Sequence, residues 1–317
     1  MAVAALGLAL VMMAVGTAKS DTFGTTGNEF AIDFVDIGDV GNAADDTGYG
    51  AVSYNYRMGT YEISHNAIAK ATASGMIGVT AGPWLFDRPA ATITWYEAAA
   101  FANWLNTSTG HQAAYNLSWN GTAWSMELWS SGQAWQADGQ NLYRHKDAYY
   151  FLPSEDEWYK AAYYDAGGSL YNDYATGSND VPYSQDVGTD PDTAVFVGYD
   201  SGSVWNEPVE VADVNLAGGL SPYGTMAQSG NVREWMESSL DGLNNNVNAN
   251  RTMRGGDLAT EAEWLSSTGR YEFATPTTDN ANFGFRVASV PEPSVTLLVL
   301  MAGGAWLLRK QSKKRAV

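Results

Sequence analysis

The sequence predicts a compact, loop-rich fold of both helices and strands, each short and set between long polar loops. Three observations point there. Capping-box patterns occur three times, strand-like alternation recurs in short runs, and the composition is too apolar for disorder. Hydrophobic residues make up 45% and aromatics 13%, while charged residues are 16%, where about 25% is usual. The 317 residues can hold one large domain or two ordinary ones. No internal repeat or interdomain linker interrupts the chain before Ser289.

In chain order, Phe30, Ile32 and Phe34 alternate with smaller or polar residues and read as a half-buried strand. A Gly/Asn/Asp loop follows, from Gly38 to Gly50, and then a second strand from Tyr54 to Ile63. Ser64 opens a short helix over residues 65–73, with His65 at its start in a solvated or capping position. Thr94-Trp-Tyr-Glu97 and Ser154-Glu-Asp-Glu157 are capping boxes, each with Ser or Thr at the N-cap and Glu three residues on. After the first box, Ala98, Phe101, Ala102 and Leu105 share one helical face; after the second, Trp158, Ala161 and Ala162 do. Thr260-Glu-Ala-Glu263 has the same form and predicts a third helix or helical turn. Between the first two boxes, Asn120-Gly121 sits inside Leu117–Trp124 and signals a hairpin. Trp119, Trp124, Trp129 and Trp135 crowd this segment. A Trp pairs an apolar face with a polar tip, which suits sugar stacking as well as core packing.

Composition also excludes whole function classes. Lys and Arg number 17 against 35 Asp and Glu, a net charge of −18. Lys19 and the five cations after residue 308 are six of those 17; the other 11, set against 35 acids, leave −24 for the rest of the chain. A body this acidic repels phosphate backbones, so nucleic acid is not a partner. The chain has no cysteine, which removes disulfides, thiolate metal sites and cysteine catalysis together. Its histidines are His65, His111 and His145 alone, in no H-x-x-x-H or H-E-x-x-H arrangement.

Both ends read as addresses. Ala4 to Ala18 is an apolar run closing on small residues, the pattern of a secretory signal peptide. Residues 1–20 are assigned to it, with cleavage near Ala18 or Ser20. Residues 290–317 begin with Val290-Pro291-Glu292-Pro293 and continue with an apolar helix over 295–308, ending in Arg309, Lys310, Lys313, Lys314 and Arg315. Fourteen apolar residues span about 21 Å as a helix. That is short for a permanent span, and the basic flank fixes a cytoplasmic end. The tail resembles the PEP-CTERM sorting signal. The resemblance implies membrane anchoring through the helix, recognition of Pro291, Glu292 and Pro293 by an exosortase-type processing protease, and release to the cell surface or extracellular matrix.

Residues 21–289 carry a longer resemblance. Met58-Gly-Thr-Tyr-Glu62-Ile-Ser64, Thr94-Trp-Tyr-Glu97-Ala98 with Asn103-Trp-Leu105, and Leu152-Pro-Ser-Glu-Asp-Glu157-Trp158 come first. Tyr223-Gly-Thr-Met226, Ser229-Gly-Asn231-Val232-Arg233-Glu234-Trp235, Arg254-Gly-Gly256 and Gly284-Phe-Arg286 follow. In this order the motifs resemble the formylglycine-generating enzyme, or sulfatase-modifying factor, family. The resemblance implies a single irregular α+β domain related to the C-type lectin fold. Helix capping alone explains Glu97 and Glu157, while Arg254 and Arg286 beside glycines suit buried organisers of loops.

The departures bear on function. Family members that oxidise a sulfatase cysteine hold copper on a cysteine pair after Arg-Gly-Gly. Here the matching stretch, 257–270, contains no sulfur, and Cu(I) prefers thiolate ligands. Neither copper nor haem is expected, and the three scattered histidines disfavour the iron of the sulfoxide-synthase branch. The resemblance implies calcium at Asn231, Val232 and Glu234, whose oxygens suit a hard cation. A loop closed by Asn231 and Glu234 hydrogen bonds without metal is the alternative. A second calcium loop would draw on Asp186, Asp190 and Asp192. Trp119, Trp124 and Arg254 are the candidate ligand-binding residues, the last beside a groove, with extracellular polysaccharide as the candidate ligand. Three functions stay open: an exported binding protein, an oxidoreductase with another site, and a structural surface protein.

Overall fold

The computed structural model describes residues 19–82, 84–270 and 272–291. Apart from Lys19 and Ser20, the assigned signal peptide lies outside them, as do Glu292, Pro293 and the apolar run 295–308. Among the described residues, no helix is long and apolar enough to cross a membrane.

The chain opens with β1 (Lys19–Phe23), β2 (Phe30–Ile37), β3 (Tyr56–Gly59) and α1 (His65–Ala73). There follow α2 (Trp95–Ser108), the hairpin β4 (Asn116–Trp119) and β5 (Trp124–Glu127), then β6 (Ala134–Trp135), β7 (Asn141–His145), β8 (Tyr150–Phe151) and α3 (Glu155–Tyr163). A loop-rich stretch carries the two-residue strands β9 (Tyr164–Asp165), β10 (Leu170–Tyr171), β11 (Tyr183–Ser184), β12 (Thr193–Ala194), β13 (Gly198–Tyr199) and β14 (Trp205–Asn206). Last come β15 (Arg233–Ser239), β16 (Arg251–Arg254), β17 (Glu272–Ala274), β18 (Phe283–Gly284) and β19 (Ala288–Ser289).

Two sheets frame the domain. The first is antiparallel with order β1-β2-β3-β19-β8, so the earliest and latest strands share it. The second has order β17-β16-β15-β18, with only the β15–β18 pair parallel. This is the mixed α+β single domain that the sequence predicts. Lys19 and Ser20 pair with Phe34 and Asp33.

The predicted face of α2 is at the centre: Ala98, Phe101, Ala102 and Leu105 are completely buried. Trp95, Ala99 and Asn106 are buried too, so α2 is covered on more than one side. Asn106 stitches it to β8, accepting the Tyr149 and Tyr150 N–H groups at 2.9 and 3.0 Å and donating to the Tyr150 carbonyl at 2.6 Å. Emptying the Phe101 position to Ala would cost about 3–5 kcal/mol by the usual large-to-small series.

Local signals set the helix starts. Ser64 accepts the Ala67 N–H, and both predicted capping boxes form completely. The third does not. Thr260 Oγ1 accepts the Asp257 N–H and donates to the Asp257 carbonyl, closing a turn, and residues 262–264 form one 3₁₀ turn with no side-chain cap. The second predicted strand shrinks to β3; beyond it Thr60 sends its N–H to Asp33 and Ile63 to Phe285, outside the regular ladder. The Asn120-Gly121 hairpin forms with a longer connection, residues 120–123, in which Asn120 Oδ1 accepts the Thr122 and Ala123 N–H groups.

Candidate functional site

Four buried arginines organise the interior around the candidate residues. Arg286 binds Glu234 through Nε and Nη2 at 2.6 and 2.5 Å, and spends its other donors on the Gly59, Thr60 and Met226 carbonyls. Arg144 lies between Glu157 and Glu237, 2.8 and 2.6 Å from their oxygens, with its guanidinium 3.7 Å from the Phe151 ring centroid. Arg254 binds Glu155 at 2.8 Å and the Ser267 and Gly269 carbonyls. Arg251 stacks on Trp95 and Tyr143.

The Asn231–Glu234 loop is closed by these contacts. Asn231, at φ 60°, donates to Glu62 at 2.6 Å and accepts the Ala212 N–H at 2.8 Å. The Val232 N–H goes to the other Glu62 oxygen. Both Glu234 oxygens face Arg286, and one also accepts the Trp158 indole N–H at 2.8 Å. A guanidinium stands where a calcium ion would need oxygens turned inward, so the donor set does not fit the ion. Burial first, and the Glu234 charge second, push the Glu62 carboxyl well above the ordinary range.

The other inorganic candidates do not assemble. Among the described residues, no three His, Cys, Asp or Glu side chains come together as a metal site. Asp186 meets Asn206, whereas the Asp190 carbonyl accepts the Thr193 hydroxyl. His111 stacks on Tyr149 and His145 packs edge-on against Trp129.

The three ligand-binding candidates fall in two places. Trp119 and Trp124 are cross-strand partners on the β4–β5 hairpin, with ring centroids 5.1 Å apart. Both rings press on Gly78, where a Cβ would come within 2.9 Å of either, and Trp124 Nε1 donates to the Gly78 carbonyl at 2.6 Å. Half-buried, they line a cavity of about 250 Å³ with Thr94, Tyr96, Glu97 and Thr122. Arg254 is elsewhere and only 3% exposed. It does not reach a ligand, because Glu155 and two carbonyls take its donors.

What faces solvent near Arg254 is a second cavity of about 420 Å³, bounded by the first turn of α3 and the 135–141 and 238–244 loops. Tyr49, Tyr54, Trp135, Asp156 and Arg270 line it. Arg270 clamps Glu155 from the open side at 2.9 and 3.0 Å, opposite Arg254. The sequence points to a groove beside Arg254 but not to these lining residues, although one signal is present. A capping box needs one acid, and Ser154-Glu-Asp-Glu157 supplies three.

Residues 26–290 match the family model described as sulfatase-modifying factor enzyme 1-like domain. No curated protein is similar to the chain in sequence. Among solved structures it is similar to Treponema denticola variable protein 1, at 20% identity and a TM-score of 0.57 over 87% of this chain and 100% of that one. It is also similar to CarF, at 18% identity and a TM-score of 0.51 over 82% of this chain and 99% of the other. At such identities the likeness is one of fold.

Proposed function

The chain belongs to the sulfatase-modifying factor family, and from that premise we propose that it is an exported binding protein rather than a formylglycine-generating enzyme. The absence of cysteine removes the thiolate copper route to formylglycine. The ligand we assign is extracellular polysaccharide, and the Trp119–Trp124 pair carries the assignment. Two half-buried indoles, held on a hairpin by Gly78 and joined by the Thr122 hydroxyl, offer apolar faces and a hydrogen-bonding group together. A sugar ring presents that same combination of surfaces. The leader-like run and the Pro291-Glu292-Pro293 tail support export, transient membrane anchoring, processing by an exosortase-type protease and residence at the cell surface or in the matrix.

Co-sedimentation of the purified full-length chain with the host's extracellular polysaccharide tests the binding. Trp119→Ala, which leaves the Trp124–Gly78 bond in place, is expected to weaken retention about tenfold, or about 1.4 kcal/mol. Unchanged retention by a folded variant rejects the assignment. In the same host, Pro291→Ala with Pro293→Ala should leave the protein in the membrane fraction; identical mass and fractionation of variant and parent would reject the sorting claim.

A further inference from the structure

We propose that the cleft at the first turn of α3 binds the protonated amine of an amino sugar. It shares no lining residue with the Trp119–Trp124 cavity, so this inference stands apart from the polysaccharide assignment.

Charge comes first. Four carboxylates line the cleft: Asp138, Glu155, Asp156 and Asp241. Arg270 is the one cation in the lining, and Glu155 matches it in a two-point ion pair that Arg254 shares from behind. The other three carboxylates meet only neutral donors. Asp156 accepts the Gly50 N–H at 2.9 Å, Asp138 the Ser53 N–H at 2.9 Å, and Asp241 the Ser239 hydroxyl and Leu243 N–H at 2.6 and 3.0 Å. Asp138 and Asp241 stand exposed on the rim, whereas Asp156 is set into the wall with no cation beside it among the described residues.

The wall itself narrows the ligand. Tyr54 meets Trp135 edge-on at 5.2 Å, while the Tyr49 ring already carries the Arg254 and Arg270 guanidiniums, 4.7 and 5.1 Å from its centroid. Aromatic faces attract ammonium groups and also pack on sugar rings. The Trp135 Nε1 donor is buried and has no protein partner. A neutral sugar would leave Asp156 without a counter-charge, and an anionic one would meet three carboxylates that Arg270 does not pair. The volume of about 420 Å³ falls in the range of small-ligand pockets, about 300–1,000 Å³.

Calorimetric titration of the full-length chain at pH 7 with glucosamine, glucose, N-acetylglucosamine and lysine methyl ester tests this. Glucosamine is expected to bind about tenfold tighter than either neutral sugar, the factor that cation–π and charge attraction supply. Asp156→Asn, which keeps the acceptor for Gly50, should remove that preference at an unchanged fold. The rim variant Asp138→Asn cannot disturb the interior and should weaken glucosamine by about two- to fivefold. Trp119→Ala should leave glucosamine binding as it is, which separates this site from the polysaccharide platform. Equal binding of glucosamine and glucose, or no binding by the folded parent, overturns the proposal. So does full retention in both Asp variants, or tighter binding of the lysine ester than of glucosamine.

Discussion

α2 and α3 begin with the same four-residue device and use it to different ends. In each, the N-cap hydroxyl accepts the third helical N–H, from Glu97 at 3.1 Å or Glu157 at 3.2 Å. In each, that Glu returns to the cap N–H, at 3.0 and 2.6 Å. Beyond this they part. Glu97 is half-buried and adds the Thr94 hydroxyl at 2.8 Å and the Thr80 N–H at 3.2 Å. Glu157 is fully buried, takes two guanidinium donors of Arg144 at 2.9 and 2.8 Å, and accepts the Tyr54 hydroxyl at 2.7 Å. Burial alone would raise the Glu157 carboxyl; Arg144 more than offsets it and holds the group below its ordinary value. A local capping motif thus fixes where a helix starts, while its tertiary surroundings decide whether the second acid is a cap or a keystone.

The largest test of that difference is a pair of isosteric changes. Glu157→Gln should cost about 3–5 kcal/mol, because it strands Arg144 with Glu237 as its sole ionic partner. Glu97→Gln should cost about 1 kcal/mol or less, the scale of a weakened cap. Equal losses in urea melts would break the comparison.

A smaller effect sits one residue away. Burial first, with Glu155, Glu157 and Asp138 adding to it, raises Asp156 to about 6 against the Gly50 N–H, which lowers it. Arg270 and Asp241 face the cleft from its other walls. A folded-state pKa above the unfolded value of 3.8 means that the folded chain holds the extra proton between the two. The contribution of Asp156 to stability therefore falls as pH rises from about 4 to 6, and stays lost above that window. Asp156→Asn should stabilise the chain by about 1 kcal/mol at pH 7 and flatten that part of the pH profile. If thermal melts at pH 5 and pH 7 move together in variant and parent, the group is not the source. The smallest expectation concerns Thr260-Glu-Ala-Glu263, where no reciprocal cap forms and Glu263 is exposed. Glu263→Gln should stay within about 0.5 kcal/mol of the parent; a loss on the Glu97 scale would show a working box there.

This contrast also explains what could be read from the chain. Ser64, Thr94 and Ser154 were legible because a cap is settled within four residues. Thr260 misled because its hydroxyl had a nearer use, at Asp257. Arg254 and Arg286 were correctly expected to organise loops, but their acidic partners lie 99 and 52 residues away in the chain. No local pattern announces such pairs. The α3 cleft was hidden for the same reason, since Tyr54, Trp135, Asp156 and Arg270 converge from four separate segments. Trp119 and Trp124 were visible as a hairpin pair, though not the glycine that seats them.

The closing strand bears on where the molecule can be cut. β19 lies between β3 and β8, and Val290 adds one more backbone bond, to the Tyr149 carbonyl at 3.0 Å. Next comes Pro291, exposed and without an N–H to donate, so pairing has to stop there. A proline at this point is a chemical full stop to the run of donors that β19 and Val290 supply. Cleavage past Val290 would spare each of these ladder bonds, whereas cleavage three residues earlier would take out the strand that joins the two halves of the first sheet.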